Sequence, residues 1–170
     1  ILRHNQDETS LLYHKIDDSK IAVAGHSRGG EAVSIAALFN QYHVYPDNGK
    51  VKLNYHFKIK TVIAIAPTCD QYKPGDRKIE LSDMNYFLIH GSNDMDVTEF
   101  MGMKQYKNVT FTGSGNYRKA YLYIVGANHG QFNTEWGRHD TGYPGAFFLN
   151  TASLISGEEL SLDLSLKTTA

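Results

Sequence analysis

The chain has 170 residues, of which 41% are apolar and 21% charged, and its formal net charge is −1 at pH 7. That length can bury a sizeable core in one domain, read here as residues 1–170. The near-zero charge gives no electrostatic argument for nucleic acid or an anionic membrane, and no apolar run is long enough to span a bilayer. Cys69 is the sole cysteine, so no intrachain disulfide can form.

In chain order, residues 1–15 read as a helix, because Leu2, Leu11, Leu12 and Ile16 can share a face. Asp17-Asp18-Ser19 ends it. Residues 21–24 form a short β-branched and small apolar run between polar flanks, which is a strand pattern. Gly25-His26-Ser27-Arg28-Gly29-Gly30 then turns sharply, and the Ala-rich stretch 31–39 leaves the turn as a helix. Residues 41–55 read as a long loop around Tyr45-Pro46-Asp47-Asn48-Gly49. The clearest strand is 59–67, whose near-continuous apolar run predicts burial on both faces of a parallel sheet.

Residues 68–84 are polar, carry Pro74-Gly75, and read as a loop at the sheet's carboxyl end. A third strand over 86–90 leads into Gly91-Ser92-Asn93-Asp94, followed by a short helix over 97–106. Asn108-Val109-Thr110 is a glycosylation sequon that fixes no location by itself. After a turn at Gly113-Ser114-Gly115-Asn116, a fourth strand over 119–125 runs into Gly126-Ala127-Asn128-His129-Gly130. Residues 131–145 are aromatic, glycine-rich and irregular, and Ser156 with Glu159 forms a capping box for a last helix. Strands alternating with helices predict an α/β fold with a mostly parallel sheet and flanking helices. In such sheets the chemistry lies on loops after the strands' carboxyl ends, where Ser27, Asp94 and His129 fall.

Gly25-His26-Ser27-Arg28-Gly29 is a G-x-S-x-G pattern set between a strand and a helix. A serine hydroxyl is a weak nucleophile until a base takes its proton. The turn lifts Ser27 clear of the sheet, and the Arg28 N–H at the helix start points where an oxyanion would form. His129 is the expected base, and Asp94 is expected to fix its tautomer. The competing base is His139. Asp96 is the competing acid, although it suits a helix cap, and Asp70 is more distant. His26 packs beside the nucleophile, and the aromatics Phe132, Trp136 and Tyr143 can wall an acyl pocket together with it. No His-x-x-x-His pair or cysteine cluster suggests a metal, and no cofactor is expected. The substrate expected is an uncharged or weakly charged ester, small or polymeric.

Together these stretches resemble the α/β-hydrolase superfamily. Gly25-His26-Ser27-Arg28-Gly29-Gly30 resembles the nucleophile elbow of its chlorophyllase, dienelactone hydrolase and bacterial cutinase/PET-hydrolase branch. His90-Gly91-Ser92-Asn93-Asp94-Met95-Asp96-Val97 resembles its acid loop, whose pattern selects Asp94, and Gly126-Ala127-Asn128-His129-Gly130-Gln131-Phe132 resembles its histidine loop. The resemblance covers about 17–148 and implies an α/β-hydrolase fold and a serine esterase with a Ser27–His129–Asp94 triad. Members of that family carry several strands before the elbow strand, and a loop after one of them gives the second oxyanion N–H. Few residues precede Gly25 here, so the resemblance implies the part of the fold from the elbow strand onward. The missing strands are then expected from an upstream segment or a second polypeptide. Two other readings share these residues: a non-catalytic binding module, and an acyltransferase or peptidase with the same triad.

Overall fold

The computed structural model describes residues 1–113 and 115–132. Its frame is a four-stranded sheet built from β1 (Ile21–His26), β4 (Ile59–Ile65), β6 (Asn85–Gly91) and β8 (Lys119–Ile124), in the order β1-β4-β6-β8 with every pairing parallel. The register sets Val23 beside Val62 and Val62 beside Tyr86, so one pleat face is shared across the strands. On that face Val62, Ala64, Tyr86 and Leu88 are buried under Ala37 and Leu38 of α2 (Arg28–Phe39). A second helix, α3 (Glu99–Lys107), packs on β6 and brings Gly102 against Leu88. Truncating a side chain as buried as Leu88 to alanine costs about 2–5 kcal/mol, which makes this face the main cohesive element of the domain.

The other face differs from the expectation of burial on both sides. Along β4 buried and half-buried residues alternate, and Thr61, Ile63 and Ile65 stay partly exposed among the described residues. The apolar run is legible in the sequence; which elements cover each face depends on the placement of distant segments, and here α2 and α3 lie on the Val62 side.

Several other boundaries shift for local reasons. Of the helix expected over 1–15, only α1 (Leu2–Asn5) forms. Beyond it the polar side chains bond the backbone instead: Asp7 accepts from the Thr9 N–H at 2.9 Å and Ser10 Oγ from the Leu12 N–H at 3.1 Å. Such local bonds compete with helix. Asn5 also bonds both backbone groups of Ile16, at 2.9 and 3.0 Å, which folds the segment back ahead of β1. The loop expected over 41–55 contains an antiparallel hairpin of β2 (Val44–Tyr45) and β3 (Asn48–Lys52). The polar stretch 68–84 contains a 3₁₀ turn at Pro74–Asp76 and β5 (Leu81–Ser82), which pairs in parallel with β7 (Val109–Thr110). Helix α3 starts at Glu99 because Thr98 is still extended at φ −70°, ψ 148°. The capping box at Ser156 lies outside the described residues.

Candidate active site

Parallel strands deliver their carboxyl ends to one edge of the sheet, and the residues singled out from the sequence follow three of those ends: Ser27 after β1, Asp94 after β6 and His129 after β8. The turn at Ser27 is tight. Gly25 lies so close to the Gly29 carbonyl that any Cβ would collide with it, so the strand can meet the helix only through glycine. Ser27 itself carries φ 58° and ψ −125°, a region that costs a non-glycine residue about 1–3 kcal/mol and persists only when its surroundings hold it. They do. The Ser27 N–H donates to Ile65 O at 2.9 Å, and its carbonyl accepts from Gly30 at 2.9 Å and Thr68 at 3.3 Å. Arg28 opens α2 with its side chain exposed. The leading N–H groups of a helix have no intrahelical acceptor, and they present partial positive charge at this edge.

Asp94 is fully buried at its side chain and richly bonded. Oδ1 accepts from the backbone N–H of Val97 at 2.8 Å and of Asp96 at 3.0 Å, which curls the loop around the carboxylate. Oδ2 lies 2.8 Å from His129 Nδ1. A carboxylate can only accept, so Nδ1 carries the proton and Nε2 is the nitrogen left to act as acceptor. Asp96 is exposed and reaches this centre only through its backbone. Asp70 pairs with Lys104 on α3 instead. Gly91 permits the acid and histidine loops to touch, since a Cβ there would strike the Ala127 carbonyl.

Two further histidines shape this centre. The His26 ring lies 4.4 Å from that of His129, centroid to centroid, which joins the residue before Ser27 to the histidine loop. The Phe132 ring sits 5.8 Å from that of His26, centroid to centroid. His90, at 1% exposure, is behind Asp94, with Nε2 4.0 Å from Oδ2. Burial pushes the pKa of both His26 and His90 below the ordinary histidine value. Two rings whose charged form burial disfavours therefore lie beside the Asp94–His129 pair. Trp136, His139 and Tyr143 lie outside the described residues. Among the described residues no cluster of three metal-ligating side chains occurs, and no helix is long and apolar enough to cross a membrane.

Glu31 is a residue that the sequence does not single out. It is 3% exposed on the first turn of α2 and bonds Thr68, Gln71 and Tyr72 in the segment after β4. A charged residue at the start of an otherwise Gly/Ala-rich helix is the available signal.

No protein-family model matches the sequence, and no curated protein sequence matches it. Solved structures do share the fold. One is a bifunctional GH43-CE protein of Bacteroides eggerthii, 18% identical over 91% of this chain and 25% of its own, with a TM-score of 0.54. Another is a truncated form of a carbohydrate esterase from gut microbiota, 15% identical over 85% of this chain and 62% of its own, with a TM-score of 0.50. The chain thus spans less than two thirds of the length of either. What they share with it is an α/β architecture around a parallel sheet.

Proposed function

We propose that the protein is a serine hydrolase that cleaves carboxylic esters, with residues 1–170 forming part of a single α/β-hydrolase domain from the elbow strand onward. The observation that carries the reading is the buried Asp94–His129 pair at 2.8 Å, joined through the His26 ring to the strained turn at Ser27. In this reading Ser27 Oγ attacks the ester carbonyl carbon while His129 Nε2 takes its proton. The charge on the carbonyl oxygen is met by the Arg28 N–H, and Asp94 stabilises the imidazolium. Collapse breaks the C–O bond, and the imidazolium returns the proton to the leaving alcohol. A water activated by His129 then releases the acid and regenerates Ser27. His26 and Phe132 line the acyl side, with Trp136 assigned there by the sequence pattern.

Within the described residues β1 pairs only with β4, so its other edge offers free backbone groups to a further strand. A strand supplied there by an upstream segment or a second polypeptide would bring the following loop that gives the second oxyanion donor, whose absence costs roughly 3–4 kcal/mol in the transition state. Because the fold is shared with proteins named as carbohydrate esterases, esters carried on a carbohydrate are the substrate class to test first. The test is a panel of acetylated and aryl-esterified sugars beside p-nitrophenyl acetate. Hydrolysis that disappears in Ser27→Ala supports the reading, and equal turnover by wild type and Ser27→Ala refutes it.

A further inference from the structure

We infer that Glu31 is a positioning residue for Ser27, an assignment that rests on the serine-hydrolase reading. Ser27 occupies a backbone conformation that must be held by its neighbours. One of the groups holding it is the Thr68 N–H, which donates to the Ser27 carbonyl at 3.3 Å. Thr68 lies between β4 and the 3₁₀ turn at Pro74–Asp76, among residues that belong to no helix or strand. What fixes it is Glu31. One carboxylate oxygen accepts from Thr68 Oγ1 at 2.6 Å; the other accepts from the Gln71 N–H at 2.8 Å and the Tyr72 N–H at 3.3 Å.

Glu31 is buried, and all three of these bonds go to this one segment. Three hydrogen bonds to one short stretch of chain, made by a buried group, give a stiff tether that depends on the reach of the side chain. It runs from the first turn of α2, four residues after Ser27, across to the strand whose Ile65 carbonyl takes the Ser27 N–H. The tether continues outward. The Tyr72 hydroxyl donates to Asp47 and lies 2.7 Å from that of Tyr45, so the β2–β3 hairpin braces the same segment. Glu31 therefore closes a loop of bonds that passes through the Ser27 backbone on both sides. A small displacement of a reacting group costs up to about 10²-fold in rate, so loosening this tether should show in the chemical step.

The test compares Glu31→Gln with Glu31→Asp in the full chain. Gln keeps the reach, with Oε1 accepting from the two amides and Nε2 donating to Thr68 Oγ1. Asp keeps the charge and falls one methylene short. Rapid labelling of the wild type by a fluorophosphonate probe comes first; a wild type that is not labelled refutes the hydrolase reading and this inference with it. With labelling established, kcat and KM for p-nitrophenyl acetate are measured for both variants. The expected result is a kcat loss of about 10–100-fold in Glu31→Asp with KM changed less than about threefold, while Glu31→Gln stays within about threefold of wild type. Hydrogen exchange at the Gln71 and Tyr72 amides should accelerate in Glu31→Asp and not in Glu31→Gln. Equal kcat in Glu31→Asp and wild type, or a Glu31→Gln loss as large as that of Glu31→Asp, overturns the positioning role and leaves the hydrolase reading standing.

Discussion

The Asp94→Asn substitution separates the proposed chemistry from the architecture of its loop. The carbonyl of the introduced amide can still accept from Val97 and Asp96 as Oδ1 does now, so the curl of the loop survives. The amide nitrogen would face His129 Nδ1, where Oδ2 now accepts at 2.8 Å. An NH₂ group can only donate, so Nδ1 must give up its proton and Nε2 must carry it. A protonated Nε2 cannot take the proton of Ser27. The expected loss in kcat is about 10⁴-fold, or about 5.4 kcal/mol at 1.36 kcal/mol per tenfold. Loss of the charge-assisted bond removes a further stabilising interaction of about 1.5–3 kcal/mol from the fold, which leaves it intact. Asp96→Asn changes an exposed side chain and should leave kcat within about tenfold of wild type. The assay is p-nitrophenyl acetate hydrolysis at saturating substrate, with near-ultraviolet circular dichroism to confirm native packing. An Asp94→Asn variant that is natively packed and retains most of the activity, or a larger loss in Asp96→Asn, would refute the reasoning.

Gly25→Ala forces a methyl group into the Gly29 carbonyl, and overpacking against rigid backbone should cost about 3 kcal/mol or more, lowering Tm by about 6–12 °C; an unchanged Tm would show that the turn relaxes freely. Stability should also fall on acidification. His26 and His90 are held below the ordinary histidine pKa chiefly by burial; Asp94 opposes the shift in both, and Glu99 opposes it at His90. The unfolded chain therefore takes up protons near pH 6.5 before the folded one does, so their contribution is complete above that pH and is lost as pH drops through it toward the lowered folded values. Tm measured from pH 7.5 to 5 should decline, and His90→Gln should flatten part of the slope; a slope identical to wild type would exclude His90 as its source.

The sheet is legible because its strands are the chain's densest apolar runs, and parallel strands buried on at least one face need little alternation to stand out. The turn at Ser27 is legible because its glycines include Gly25 and Gly30, where a Cβ would collide with neighbouring atoms, although Gly29 stands in open space. The β2–β3 hairpin is not, since β3 is exposed along its whole length and shows no apolar side for a pattern to reveal. Residues 1–15 mislead because four apolar positions at helical spacing stand out more than Asp7 and Ser10, whose side chains capture the local N–H groups. In the candidate site, the proximity of Asp94 and His129 follows from adjacent strands β6 and β8, an order the sequence suggests without fixing. The contacts of Glu31 with Thr68, Gln71 and Tyr72 join residues 37, 40 and 41 positions apart through a segment without periodicity, so no sequence pattern encodes them.

Whether Ser27 is the nucleophile is read from the mass of the protein after reaction with a fluorophosphonate, followed by peptide mapping. One adduct is expected, on Ser27, absent in Ser27→Ala and formed far more slowly in His129→Ala. An adduct on another serine, or labelling that persists in Ser27→Ala, would contradict it.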